Sequence, residues 1–365
     1  MDDISSAERY TRQTILPEIG AAGQERLARA RVLVIGAGAL GTPALYYLAA
    51  AGVGTLGIAD DDALELTNLH RQILYRTADI GRPKTEAAAE RLADFNPDIR
   101  TEPHTLRVNA GNAVELIRGY DLVVDATDRL ETKFLINDAC AAATRPLVHA
   151  AVLGFEARVA VFDASTGPCL RCLFPAPPGT PALTCSEAGV LGAVTGMAGS
   201  LQALETIKWL LKDNGTGLEP LLGRLWLLDG RTLETRVVEL TRDPACPVCT
   251  QPLGEICLAP EVATVARIAP SELEHQNDAL LIDVREDDEW TEGHLPSAVH
   301  YPLSHLLRQV PKLPEHERYI AYCAHGIRSE TAARLLTEAG YRNVYSLRGG
   351  ICAIADDKTT LQSPA

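Results

Sequence analysis

The sequence predicts an α/β protein in two parts. The first is a mainly parallel sheet with helices on both faces and an antiparallel extension; the second is a smaller α/β domain. Three observations predict this. Strand, glycine turn, helix and strand follow one another across residues 31–60. A third apolar strand, "DLVVDATD", occupies Asp121 to Asp128. Beyond a stretch with Pro252, Gly254 and Pro260, strand–helix alternation starts again. Alternation of this kind builds parallel sheets covered by helices. With 365 residues and 46% hydrophobic content, the chain can bury more than one core.

In order, "RVLVIGAGALG" is a strand running into Gly36, Gly38 and Gly41, and "ALYYLAAAGV" continues as a helix. "GTLGIADDD" is a second strand that ends at Asp60. Residues 146–162 and 224–240 read as antiparallel sheet. Residues 251–263 read as a linker, because proline and glycine interrupt any periodicity. After it come the strands "ALLIDVRE", "YIAYC" and "NVYSL", with the amphipathic helix "SETAARLLTEAG" between the last two. No internal repeat relates the two parts.

A formal charge of -14 argues against nucleic acid as a partner. One uncharged run, Ala188 to Leu204, is short for a membrane span and carries Thr195, Ser200 and Gln202, so it reads as a buried, closely packed helix. The first thirty residues lack the apolar core of a signal peptide, which points to the cytoplasm. The nine cysteines are odd in number, and without an export signal metal or catalytic use is expected over a disulfide framework.

Between a strand and a helix, the G-x-G-x-x-G spacing of Gly36, Gly38 and Gly41 fits a Rossmann-like phosphate cradle: glycine lets the backbone approach, and a helix N-terminus offers N–H groups. Asp60 is placed for a ribose hydroxyl. Arg71 and Lys84 add two cations that suit a triphosphate, and Asp128 at the end of the third strand can hold Mg²⁺. His149 follows an apolar strand and reads as structural.

Residues 8–250 resemble the MoeB/ThiF family, bacterial members of the ubiquitin-activating enzyme superfamily. The matching stretches are "RYTRQTILPEIG", "VLVIGAGALG", "ADDDALELTNLHRQ", "GRPKTEAA", "DATD", "CLRCLFP", "LTCSEAGVLG" and "GSLQALETIK". The resemblance implies that ATP adenylates the C-terminal glycine of a ubiquitin-like sulfur carrier ending in Gly-Gly. It assigns phosphate to Gly36, Gly38 and Gly41, ribose to Asp60, polyphosphate to Asn68, Arg71 and Lys84, and Mg²⁺ to Asp128. It also implies a homodimer in which Arg12 reaches the neighbouring subunit's nucleotide. Arg129 departs from the asparagine common after that aspartate, so its contact is not carried over.

"CLRC" (Cys169, Cys172) and "CPVC" (Cys246, Cys249) are two C-x-x-C pairs that suit one tetrahedral, structural Zn²⁺. A redox pair or plain buried thiols are the alternatives. Cys185 follows the Pro/Gly-rich stretch "PAPPGTPAL" and matches a family position linked to acyl intermediates; a bystander thiol is its alternative. Cys140, Cys257 and Cys352 carry no motif.

"YIAYCAHGIRSETAARLL" is strand, cysteine loop, helix. Loop N–H groups, the helix N-terminus and Arg328 are expected to stabilise an anionic sulfur on Cys323. Four residues separate Cys323 from Arg328, a tight nest suited to one sulfur more than to a phosphoryl group. With "LIDVREDDEWTEGHLPSAVHYP" and "LRGG", residues 264–357 resemble a rhodanese domain.

The expected organisation is therefore an adenylyltransferase domain at 1–250, a linker at 251–263 and a rhodanese-like sulfurtransferase domain at 264–365. The whole resembles fusions serving molybdopterin, thiamine, cysteine or tRNA-thiolation pathways. It implies a sulfur donor, either a cysteine desulfurase or thiosulfate. The competing readings are a Rossmann-type NAD-binding protein fused to an unrelated rhodanese, and a non-catalytic scaffold that binds the carrier.

Overall fold

A computed structural model describes residues 6–175, 189–212, 217–256, 258, 265–273 and 278–354. The chain divides into two compact units, Met1–Pro260 and Glu261–Ala365.

The first unit is built on an eight-stranded sheet in the order β3-β2-β1-β4-β5-β6-β7-β8. Its strands are β1 (Arg31–Ile35), β2 (Thr55–Ala59), β3 (Arg100–His104), β4 (Leu122–Asp125), β5 (Leu147–Leu153), β6 (Glu156–Phe162), β7 (Arg224–Asp229) and β8 (Glu234–Glu239). β3, β2, β1, β4 and β5 run parallel; β6, β7 and β8 continue the sheet antiparallel. β5 is thus parallel to β4 on one edge and antiparallel to β6 on the other, where the sequence suggested antiparallel sheet only. β3 was not expected, because "RTEPH" has no apolar alternation. It is an edge strand, and Pro103 is tolerated in that place.

β1 and β4 are buried on both faces, which is why both read as continuous apolar runs. β4 stops at Asp125. Asp128 therefore does not end the third strand as expected: it lies in the loop before the Leu130–Ala143 helix and is exposed.

The uncharged run does form a close-packed helix, Gly192–Leu211. A Cβ at Gly199 would overlap the Leu40 carbonyl oxygen and lie 2.6 Å from Pro43 Cγ, so glycine sets its approach to the Gly41–Ala50 helix. Val194, Ala198 and Ala203 face the core, while Met197 and Leu204 are about half exposed on the other side. Among the described residues no helix is long and apolar enough to cross a membrane.

In the stretch read as a linker, Leu253 and Ile256 pack within the first unit while the other residues of 251–256 are exposed. Ile256 is buried in a cluster with Cys169, Cys246, Val248 and Cys249, and Leu253 packs against it.

The second unit is a five-stranded sheet, all parallel, in the order β11-β10-β12-β13-β9. Its strands are β9 (Ala266–Ile268), β10 (Ala279–Asp283), β11 (Val299–His300), β12 (Arg318–Tyr322) and β13 (Val344–Leu347). The two edge strands, β9 and β11, are too short to stand out in the sequence. One apolar cluster gathers Ile282, Ala321 and Leu336, and another gathers Ile320, Leu347 and Ile351. β12 delivers Cys323 at its carboxyl end, and the Ile327–Glu338 helix follows.

Candidate functional site

In the first unit the glycine turn joins β1 to the Gly41–Ala50 helix. Gly36 has φ +97°, and a Cβ there would lie 2.7 Å from the Ala126 carbonyl oxygen. A Cβ on Gly41 would overlap the Gly36 carbonyl oxygen. Gly38 differs, since the nearest atom to its Cβ position is Gln72 Nε2 at 3.7 Å. Two of the three glycines thus serve close backbone packing, and the third leaves room above the turn.

Asp60 stands directly after β2. Its Oδ2 accepts from the Ala37 N–H at 2.7 Å and its Oδ1 from the Asp62 N–H at 2.9 Å. Burial raises its carboxyl above the ordinary value, against the opposing pull of Lys84. Lys84 opens the Lys84–Phe95 helix, is 5% exposed, and donates its Nζ to Asp62 Oδ2 at 2.6 Å. Asn68 is buried, and its Oδ1 accepts from the Glu65 N–H at 3.2 Å, capping a short turn. Arg71 Nη1 donates to the Thr67 carbonyl at 2.8 Å and lies 2.8 Å from His70 Nε2. Arg12 is exposed on the short Thr11–Thr14 helix.

Sequence reasoning passed over Asp125. It is 0% exposed at the end of β4. Its Oδ2 lies 2.8 Å from His149 Nδ1, and Lys133 Nζ reaches its two oxygens at 3.2 and 3.3 Å. Lys133 also donates to the Ala150 carbonyl at 2.6 Å. Burial alone would raise the Asp125 carboxyl, but the Lys133 ammonium and the His149 hydrogen bond outweigh it and hold it well below the usual range. Burial keeps the His149 imidazole below its ordinary value. The structural reading of His149 fits this placement. The available signal was the first aspartate of "DATD", together with one histidine in an otherwise apolar strand.

The two C-x-x-C pairs meet. Cys169 Sγ lies 3.6 Å from Cys246 Sγ and Cys172 Sγ 3.7 Å from Cys249 Sγ, with all four sulfurs within 4.8 Å of one another. A tetrahedron of zinc–sulfur bonds near 2.3 Å has edges of about 3.8 Å, so the donor set and its spacing fit Zn²⁺. Burial pushes the Cys169 thiol up to about 12, so a nearby cation would be needed to hold that sulfur as a thiolate. Asp60, Asp61 and Asp62 also cluster, but Asp60 and Asp62 already hold the N–H groups and the Lys84 ammonium described above.

In the second unit, Cys323 is buried at the end of β12 and its sulfur accepts from the Gly326 N–H at 3.1 Å. Ser329 Oγ lies 3.7 Å from that sulfur and 2.8 Å from Ser346 Oγ. Gly326 has φ +91°, and a Cβ on Gly350 would overlap the Cys323 carbonyl oxygen, so the loop is moulded against the "RGG" turn. Arg328 meets a counter-charge that the sequence reading did not anticipate. Its Nη1 and Nη2 donate to Glu289 Oε2 and Oε1 at 2.5 and 2.6 Å. That pair holds the Glu289 carboxyl below its ordinary value.

Of the other cysteines, Cys140 is buried and Cys352 is exposed. Cys185 and Cys257 lie outside the described residues.

Together these features define an α/β protein with a nucleotide-type glycine turn in one unit and a strand-end cysteine loop in the other. The ThiF family matches residues 10–248, and the rhodanese-like domain matches residues 269–357. The chain belongs to the ThiF family and carries a rhodanese-like domain after it. It is 49% identical over 248 residues to a sulfur carrier protein adenylyltransferase of Thermus thermophilus, covering 66% of this chain and 90% of that one. It is 40% identical over 367 residues to the probable adenylyltransferase/sulfurtransferase MoeZ of Mycobacterium tuberculosis, covering 95% of this chain and 92% of that one. An adenylyltransferase and sulfurtransferase of Zea mays, MOCS3-2, is 37% identical over 96% of this chain and 79% of its own. Among solved structures, E. coli MccB with MccA-N7isoASN superposes at a TM-score of 0.59 and 23% identity, covering 68% of this chain and 76% of that one. That likeness concerns the fold alone.

Proposed function

We propose that the chain adenylates the C-terminal glycine of a ubiquitin-like sulfur carrier with ATP, and that its rhodanese-like part then supplies sulfur to form a thiocarboxylate. The observation that carries this reading is the succession, in one chain, of a ThiF match and a rhodanese-like match that retains Cys323 and Arg328. Relatives that align over nearly its whole length and are named for both activities support it. They do not favour the NAD-binding or scaffold readings.

The proposed division is adenylation by residues 1–250, a connection at 251–263, and sulfur transfer by 264–365. Gly38 leaves the room a phosphate needs, with Gly36 and Gly41 shaping the turn. Asp60 takes the ribose. Asn68, Arg71 and Lys84 face the polyphosphate, and Lys84 exchanges Asp62 for a phosphate oxygen. Asp128, an exposed carboxylate next to the turn, suits Mg²⁺, which when bound offsets phosphate charge. The glycine carboxylate attacks the α-phosphate, a mixed anhydride forms, and pyrophosphate leaves. Arg12 completes the site of a second copy in a homodimer. Zn²⁺ on Cys169, Cys172, Cys246 and Cys249 ties two distant loops together.

Cys323 takes a sulfur atom from thiosulfate or from a cysteine desulfurase as a persulfide, held by the Gly326 N–H. Its terminal sulfur attacks the acyl carbon and expels AMP, leaving an acyl disulfide. A second thiol, for which Cys185 is the candidate, attacks the Cys323 sulfur and releases the thiocarboxylate. Reduced thiols are needed throughout, which suits the cytoplasm.

Measuring both half-reactions in three variants tests the scheme. Asp128→Ala is expected to abolish carrier-dependent ATP–pyrophosphate exchange while sparing sulfur transfer from thiosulfate to cyanide. Cys323→Ala and Arg328→Ala are expected to do the reverse. Carrier thiocarboxylate formed by Cys323→Ala at the parental rate would remove the rhodanese-like part from the scheme. Bound NAD in place of ATP would restore the rival reading.

A further inference from the structure

We infer that Thr127 is a positioning residue for adenylation: it ties the loop carrying Asp128 to the buried Asp125–Lys133–His149 network. The inference rests on the reading of Asp128 as the residue that holds the metal of the nucleotide.

Thr127 binds one carboxylate oxygen twice. Its N–H donates to Asp125 Oδ1 at 3.1 Å and its hydroxyl donates to the same oxygen at 2.7 Å. The anchor is itself braced from several elements. His149 on β5 and Lys133 on the Leu130–Ala143 helix hold the Asp125 carboxylate, at 2.8 Å and 3.2 Å. Gln202, from the Gly192–Leu211 helix, donates to the Asp125 backbone carbonyl at 2.7 Å and to that of Val148 at 3.2 Å. The intervening residue, Ala126, places its carbonyl against Gly36, where no Cβ would fit. The glycine turn and the loop are thus held in register by the same short segment.

Asp128 is exposed, and it follows Thr127 directly. Because the peptide bond between them is planar, only the ψ of Thr127 sets where the Asp128 Cα lies, and the φ of Asp128 then turns its side chain. A hydroxyl donating to an ionised carboxylate is among the stronger hydrogen bonds a protein makes. Losing it leaves Thr127 held to Asp125 by its N–H alone and loosens the point from which Asp128 is aimed. Catalysis by a metal-held nucleotide depends on such placement, and small displacements cost rate steeply.

The test is Mn²⁺ binding, followed by electron paramagnetic resonance, to the full chain with the non-hydrolysable nucleotide AMPCPP. Thr127→Val preserves shape and removes the hydroxyl; it is expected to weaken Mn²⁺ binding about tenfold. Metal-free AMPCPP affinity is expected to stay within about twofold, and the melting temperature within a few degrees. Thr127→Ser restores the donor and is expected to recover parental Mn²⁺ affinity. Parental affinity in Thr127→Val, or equal loss in Thr127→Val and Thr127→Ser, would overturn the inference while Asp128→Ala still abolishes Mn²⁺ binding. Parental Mn²⁺ affinity in Asp128→Ala would overturn the assignment of Asp128 itself, and the role of Thr127 with it. Should Thr127→Val fail to fold, Thr127→Ala carries the same comparison.

Discussion

Arg328 donates both terminal guanidinium nitrogens to Glu289, at 2.5 and 2.6 Å, so the cation of the cysteine loop arrives with its own counter-charge. Two parallel bonds of this kind fix the guanidinium plane. Both side chains are about one-quarter exposed, so solvent screens the pair and its worth to stability is modest, about 1 kcal/mol.

The consequence for sulfur transfer is electrostatic. Glu289→Gln removes the carboxylate charge beside Arg328 and so makes the surroundings of the loop less negative. The KM for dianionic thiosulfate is expected to fall several-fold, while transfer from an uncharged alkyl persulfide changes by less than about twofold. Steady-state kinetics with the two donors measures this, and a parallel change in both would show that Glu289 only supports the loop.

The glycines of the turn separate into two kinds. Gly36→Ala places a Cβ against the Ala126 carbonyl at a backbone angle that L-residues rarely adopt. Its expected cost is about 2 kcal/mol or more in denaturant unfolding. Gly38→Ala has space for its methyl group and is expected to fold normally yet bind ATP more weakly, because the methyl occupies the room above the turn. Normal ATP affinity in folded Gly38→Ala would mean that phosphate sits elsewhere.

Freshly purified, reduced protein is expected to contain one Zn²⁺ per chain on the four sulfurs that lie within 4.8 Å of one another. Cys246→Ser removes the most buried of them, with 0% exposure. It is expected to lose the metal and to melt about 10 °C lower. Metal analysis and a thermal scan read both effects. Full zinc occupancy in the variant would place the ion on other ligands.

His149 gives stability a pH dependence of definite sign. Burial lowers its imidazole below the ordinary 6.5, with the Asp125 bond pulling the other way. As pH falls through 6.5, the unfolded chain takes up this proton before the folded one, so stability is full above that value and declines below it. Asp125 is lowered too, and its contribution is lost separately, in more acid solution, as pH falls below the ordinary carboxylate value. His149→Gln is expected to flatten the fall in urea stability between about pH 7 and 5. An unchanged slope would assign that dependence to another group.

Much of the fold was legible because burial writes itself into composition. β1, β4, β10 and β12 are covered on both faces, so they appear as apolar runs. Three of the four edge strands are not: β3 and β9 keep exposed positions, β11 is two residues long, and none of these stands out from a loop. The end of β4 was misplaced because "DATD" offers two aspartates and no local rule says which one is buried.

The sequence by itself determined the glycine spacing, the two C-x-x-C pairs, the cysteine loop and the order of the two parts, since each depends on residues near one another in the chain. Only the tertiary structure decided which charges meet. It brought Glu289 to Arg328 across 39 positions and Lys133 and His149 to Asp125 from two different elements. It also brought Cys169 to Cys246 across 77 positions. The reason is physical. Periodicity reports whether a side chain is inside or outside, but the partner of a buried charge is fixed by how strands and helices are stacked, and no local pattern encodes that stacking.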